Sequence, residues 1–280
     1  MISLKLKKKY KINKKFILKK RWFSSINHPK NNTLIFLSDD TNDNISKLKQ
    51  VKNSIILIKN KIKIDKSNIQ ILTKDPKLEF FKTLKDFYKL EIKNNKPKIG
   101  KNVKIFANVF LGKNVVIKDN TTIMSNVVIN DNVRIGKNCL IKSSTVIGQK
   151  GFQTIFDKNK NLISVFHVGG VKINNFVEIG ALNTIACGAI DNTIIDDYTK
   201  TDDHVHVAHN IFIGKNNTIC AGTIFGGSVS VGNRNFFGLN STIRTAIKIG
   251  NNNFIGQSTN LVKDIRNNNL IYGNPGKVKK

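Results

Sequence analysis

The sequence predicts a mainly β fold: a left-handed parallel β-helix of hexapeptide repeats, with a small α/β domain on its N-terminal side. Two runs of evenly spaced apolar residues carry that expectation. Ile99, Ile105, Leu111, Ile117, Ile123, Ile129, Ile135, Ile141 and Ile147 recur at every sixth position. Val207, Ile213, Ile219, Phe225, Val231, Phe237, Ile243, Ile249, Ile255 and Leu261 keep the same beat. A helix repeats its buried face near 3.6 residues and a flat strand at 2, so a period of six belongs to neither. It suits a solenoid in which six residues form one side of a three-sided coil and the apolar residue points inward. Three hexads per coil give roughly eight coils, about 38 Å of solenoid at a strand spacing of ~4.8 Å.

Corners need residues that tolerate positive φ, and the frequent Gly or Asn after the apolar position, as in Ile135-Gly136-Lys137-Asn138, is read in that light. The beat breaks twice. After Ile147-Gly148 the phase is lost through Gly151-Phe152 and a polar stretch, Asp157 to Asn161, and resumes at Ile173, Ile179 and Ile185. The next in-phase residue is Ile195, so Ala186 to Asn192 carries an insertion, and Thr201 fills the following slot. Insertions leave a solenoid at a corner and gather where ligands bind.

Four segments follow from these patterns. Residues 1–32 are a basic leader in which Lys5, Lys7, Lys8, Lys9, Lys11, Lys14, Lys15, Lys19, Lys20 and Arg21 alternate with apolar residues; the first acid is Asp39. That composition suits an organelle transit peptide, with Arg21-Trp22-Phe23 before Ser24 as a matrix-type processing site. It implies a mitochondrial location; without such a role for the leader, a cytoplasmic one. Residues 33–95 form a small α/β domain. Thr33 to Leu37 and Ser54 to Ile58 have strand length, and Asp75-Pro76 opens a helix whose apolar face is Leu78, Phe81, Leu84, Phe87 and Tyr88. Asn94 to Lys98 is a polar linker. Residues 96–265 are the β-helix and 266–280 the C-terminal tail.

With 47 Lys and Arg against 18 Asp and Glu, the chain has a formal charge of +29. Such a surface suits anionic partners such as phosphates or an acidic carrier protein. No aromatic-interleaved basic motif or helix-turn-helix pattern accompanies it, so nucleic acid is not the expected partner. No stretch approaches the ~18 apolar residues of a membrane span. Cys139, Cys187 and Cys220 lie far apart and read as small packing residues, not as a disulfide frame or zinc knuckle.

Four of the five histidines fall between positions 167 and 209, three of them in His204-Val205-His206-Val207-Ala208-His209-Asn210. Val205 and Val207 should face inward or the corner, leaving the alternate residues exposed. Imidazole is the side chain best matched to taking a proton near neutral pH.

The segment Val207-Ala208-His209-Asn210-Ile211-Phe212-Ile213-Gly214 resembles the active-site segment of the UDP-3-O-acylglucosamine N-acyltransferases, hexapeptide enzymes of lipid A synthesis. Gly151-Phe152, Gly169-Gly170-Val171-Lys172-Ile173, Asp191-Asn192-Thr193-Ile194-Ile195 and Gly226-Gly227-Ser228-Val229 extend the likeness, as do Phe36-Leu37-Ser38 and Asp75-Pro76 in the N-terminal domain. The resemblance implies an N-acyltransferase that moves an acyl group from a thioester to the amine of a UDP-linked glucosamine derivative. It makes His209 the general base, Asp202 the acid that orients it, and Gly227 the oxyanion donor. Phe36, His206 and Asn210 become substrate-binding residues. It also implies a homotrimer with sites between subunits, no bound cofactor, and acyl carrier protein as donor.

Four positions depart from the family pattern. Ala246 stands where the family has a second histidine, Ala186-Cys187 where it has Asp-Arg, and Asn42 where an aromatic would join Phe36 on uracil. The tail Tyr272-Gly273-Asn274-Pro275-Gly276-Lys277-Val278 is similar to that of acetyl-CoA-dependent sugar acetyltransferases, which makes a coenzyme A thioester the alternative donor. Two other readings remain open. His167, His204 and His209 could imitate the three-histidine zinc site of γ-class carbonic anhydrases. An inactive trimeric scaffold is the third.

Overall fold

The computed structural model describes residues 2–18, 21–88 and 95–279. Lys19 and Lys20 of the leader, and Asn94 of the linker, lie outside the described residues. The chain divides into two compact units: Met1–Ile92 with Gln153–Phe166, and Lys93–Phe152 with His167–Lys280.

The first unit is built on three parallel strands, β1 (Leu34–Phe36), β2 (Ile55–Ile58) and β3 (Ile69–Leu72), in that spatial order. β2 is central and wholly buried, so it reads as an unbroken apolar run instead of an alternating one. A first helix, α1 (Ile2–Lys9), precedes the sheet, and α2 (Asn42–Lys49) joins β1 to β2. Leu48 of α2 packs with Ile35, Leu37, Val51, Ile56 and Ile58. The third helix, α3 (Pro76–Phe87), starts as expected, with the Leu78 N–H donating to the Asp75 carboxylate at 2.9 Å. Leu78, Phe81 and Leu84 are buried as expected and Phe80 joins them, while Phe87 and Tyr88 are half-buried.

The basic leader belongs to this unit. Lys9 Nζ lies 3.3 Å from Glu79 and 3.5 Å from Asp86 on α3, and the Tyr10 hydroxyl is 2.7 Å from that of Thr83. Burial pushes the Tyr10 phenol well up from its ordinary value. Trp22 and Phe23 are buried and meet edge to face at 5.4 Å. The Leu34 N–H donates to the Trp22 carbonyl and the Ser24 N–H to the Leu34 carbonyl, so Phe23 pairs with Leu34 of β1 in a single parallel bridge. The unit's core therefore crosses the boundary that composition suggests at residue 32.

The second unit is the parallel β-helix. Two of its sides carry eight strands each and the third carries ten, the last of these an antiparallel return of the tail. Eight coils are what the six-residue beat predicts. Register is set by stacking like on like: Ile99 pairs with Ile117, Ile117 with Ile135, Ile135 with Ile173, Ile173 with Ile195 and Ile195 with Ile213. A one-residue slip would turn each of these side chains outward, so the apolar ladder fixes the pairing. The inward residues from Ile117 to Ile271 make one continuous core.

One detail of the corners differs from expectation. The positive-φ residue is not the one after the apolar position but the third after it: Asn102, Asn120 and Asn138 take φ of 53°, 57° and 54°. Asn tolerates this left-handed conformation better than most residues, and its amides stack between coils, as in Asn102 to Asn120 at 3.3 Å. Gly136 is needed for another reason. A Cβ there would lie 2.4 Å from the Asn174 carbonyl oxygen of the adjacent coil.

Cys139 and Cys187 are buried, Cys220 is half-buried, and all three are free. Burial raises all three thiols. No described helix is long and apolar enough to cross a membrane.

Candidate active site at His209

His206 and Val207 form a short strand on one side of the prism, and His209 begins the corner that follows. Val205 and Val207 are buried as expected, which leaves His206 on the outer surface between Thr184 and Ile224 of the neighbouring coils. His206 Nδ1 is 2.6 Å from the Thr184 hydroxyl, and burial holds its pKa below the ordinary histidine value. His206 is therefore neutral near pH 7.

His209 sits between two glycines. A Cβ on Gly227, one coil further on, would lie 2.6 Å from His209 Cε1 and 2.8 Å from Nε2. A Cβ on Gly151 would lie 2.6 Å from His209 Cβ and 2.9 Å from Cδ2. Real side chains do not approach so closely, so the ring rests directly on both backbones and is only 9% exposed. The His167 ring stands edge-on to it at 5.8 Å. The Ser228 N–H donates to the His209 carbonyl at 2.9 Å, which ties the corner to the next coil.

The two breaks in the repeat converge here. The first supplies Gly151 and His167. The second folds back on the first, with the Val168 N–H donating to the Ala189 carbonyl and the Gly169 N–H to the Gly188 carbonyl. Its Ala189 N–H then donates to Asn210 Oδ1, and Asn210 Nδ2 lies 3.0 Å from His209 Nδ1. Asn210 thus links the inserted loop to the imidazole.

Asp202, expected to orient His209, lies at the corner that opens the side His209 closes. It is exposed there, before the His206–Val207 strand; Glu178 first and then the nearby acids raise the Lys142 pKa, and burial with the Asp202 charge raises that of Cys220. His204 is likewise at the far end of that side, with φ of 59°. Among the described residues no three His, Cys, Asp or Glu side chains form a metal-binding group.

Phe36 is half-buried on β1. Its ring lies 4.9 Å from that of Phe80 and 5.8 Å from that of Phe81 inside the first unit. Asn42 is the first residue of α2. Ala186 and Cys187 are buried, and Ala246 holds a corner at φ 64° with its N–H donating to the Gly227 carbonyl.

The family model described as "Bacterial transferase hexapeptide (six repeats)" matches residues 96–130 and 114–149. This chain is a hexapeptide-repeat β-helix. The hexapeptide β-helix has similar solved structures. LpxA from Acinetobacter baumannii aligns over 65% of this chain and 69% of its own, with a TM-score of 0.60 and 23% identity. LpxA from Bacteroides fragilis, described as a UDP-N-acetylglucosamine acyltransferase, gives 0.55 and 24% over 65% and 69% of the two chains. At these identities the likeness concerns the fold.

Curated relatives match over a shorter stretch. "UDP-3-O-acylglucosamine N-acyltransferase 2" of Legionella pneumophila is 43% identical over 86 residues, 31% of this chain and 25% of the relative. "Probable UDP-3-O-acylglucosamine N-acyltransferase 2, mitochondrial" of Arabidopsis thaliana is 38% identical over 98 residues, 35% and 32% of the two chains. The match spans a quarter to a third of those relatives' length.

Gly151 and the Asn210–Ala189 bond are the parts of the site that residue patterns do not single out. A glycine at a loop entry and an asparagine at a corner both have local explanations. Only the stacking of coils brings them to one ring.

Proposed function

We propose that this chain is an N-acyltransferase that moves an acyl group from a thioester to the amine of a UDP-linked glucosamine derivative in lipid A-type biosynthesis. The observation that carries this reading is the His209 ring held on Gly151 and Gly227 at the meeting point of both breaks in the repeat. The names of the relatives that match part of this chain support the same chemistry.

The amine attacks the thioester carbonyl carbon only as a free base. His209 takes the proton that the amine nitrogen gives up as the new C–N bond forms. When the C–S bond breaks, that proton passes to the departing thiolate, so amide and thiol leave and the imidazole is restored. The Gly227 backbone N–H is the candidate donor to the oxyanion that develops meanwhile.

The donor is an acyl carrier protein or a coenzyme A thioester; both are anionic and suit a chain of +29. The assembly is a homotrimer with sites between neighbours, and the basic leader directs the protein to mitochondria, where the name of the Arabidopsis relative places that protein. The test is mass spectrometry of reactions that combine UDP-activated amino sugars with each donor class. An amide product that disappears in His209→Ala is expected. Absence of product with both donor classes sinks the proposal.

A further inference from the structure

We infer that Asn210 is a positioning residue that fixes which nitrogen of neutral His209 carries the lone pair. The inference rests on the reading of His209 as the base, and it concerns a property that can be measured without turnover. Amide orientation and histidine tautomer must usually be assigned from the surrounding network. Here one partner is a backbone N–H, which can only donate. Ala189 N lies 2.6 Å from the Asn210 side chain, so the atom facing it is the amide oxygen. The other end of the planar amide is then Nδ2, which also can only donate, and it lies 3.0 Å from His209 Nδ1. Nδ1 must accept, and in the neutral ring the proton is therefore on Nε2.

The chain of constraint starts in the second insertion. A Cβ on Gly188 would lie 1.9 Å from the Asp191 carbonyl oxygen and 3.1 Å from Asn210 Oδ1, so the loop closes tightly around the amide. Asn210 itself holds a corner at φ 59°, a conformation that Asn, Asp and Gly adopt most readily. The ring cannot turn its edges freely, because Gly151 and Gly227 press on it from both sides. In the neutral ring the lone pair therefore sits at Nδ1 beside the Asn210 amide, and the Nε2–H lies beside Gly227.

The experiment is nitrogen NMR of the full chain labelled at its five histidines, at a pH where His209 is neutral. The His209 signals are assigned by their loss in His209→Ala. Wild type is expected to be Nε2–H. Because free histidine already leans to that form, Asn210→Asp decides the matter. A carboxylate can accept from both the Ala189 N–H and Nδ1–H, so the tautomer should reverse. Asn210→Gly, which suits the corner, should release the lock and show a mixture of both forms.

A ring that stays wholly Nε2–H in Asn210→Asp, or in Asn210→Gly should the first variant not fold, overturns the inference. Where transfer is measurable, Asn210→Asp should lower kcat by roughly 10²-fold with little change in KM. A fall confined to KM would assign Asn210 to substrate binding instead. Should no donor support transfer, the NMR result still stands or falls by itself.

Discussion

Gly227 and His209 are eighteen residues apart in sequence and in van der Waals contact in space. A methyl group on Gly227 would sit 2.6 Å from the imidazole Cε1 and 2.8 Å from Nε2. Gly227→Ala keeps the backbone N–H yet evicts the ring. A 1 Å misplacement of a catalytic group costs about 10²-fold in rate. We expect acyl transfer by Gly227→Ala to drop by that order with the thermal midpoint barely moved, measured by steady-state kinetics beside a melting curve. Wild-type rates would mean that the ring is not held where the reaction happens.

Gly151→Ala separates two explanations of that result. Gly151 has no assigned part in stabilising an oxyanion, but its added Cβ would meet His209 Cβ at 2.6 Å and Cδ2 at 2.9 Å. If ring placement is what matters, this variant should lose activity comparably. If Gly227 acts only through its N–H, Gly151→Ala should be near normal. Kinetics of the two variants side by side make the distinction.

The fold was legible because its signal is repeated in every coil. Each inward residue from Ile117 to Ile255 obeys one rule, and a solenoid adds no long-range pairing that a local pattern fails to state. The site was legible only in part. His209 stood out as an imidazole near both insertions, whereas Gly227 entered through the family resemblance, which its place one coil after His209 fits. Asp202 came to attention only through the family resemblance, and it holds a different corner of the same side of the prism from His209. Asn210 reached Nδ1 through a loop whose path depends on hydrogen bonds between the insertions, and no periodicity encodes those. The leader's charge pattern likewise hid that Leu6, Trp22 and Phe23 are buried.

His206 gives the protein a predictable response to acid. Burial lowers its pKa in the folded state below the ordinary value near 6.5. The unfolded chain then binds the proton more readily than the folded one. Above about pH 6.5 both states are neutral and nothing is lost; as pH falls from there through the folded pKa, stability declines. The urea midpoint should fall between pH 7 and pH 5, and His206→Gln should flatten that dependence. An unchanged slope in the variant would remove His206 as its cause.

Thr201 occupies an inward slot that Ile179 and Ile219 fill in the adjacent coils. Pattern alone suggests that Thr201→Val would be stabilising. The structure argues the reverse. The Thr201 hydroxyl accepts from the buried Asn183 amide at 2.7 Å and from the Gly180 N–H at 3.1 Å, while Asn183 Oδ1 accepts from the Val205 N–H. Valine would strand the Asn183 donor in the core, and an unsatisfied buried group costs about 1–3 kcal/mol. Chemical denaturation should show a loss of that size; a gain would show that the amide finds another acceptor.

Trp22 brings the leader and the N-terminal domain into direct conflict. A matrix-type cut after Phe23 would remove a fully buried indole, and with it the carbonyl that accepts the Leu34 N–H of β1. Truncating a buried Trp costs about 3–5 kcal/mol, a large fraction of a small domain's stability. Trp22→Ala should therefore lower the unfolding transition of the first unit by that amount. Protein recovered from cells should begin upstream of residue 22, which intact-mass and N-terminal peptide analysis can read. A mature chain that starts at Ser24 and melts like the longer form would show that Trp22 is dispensable. The basic residues before it would then act as a removable signal alone.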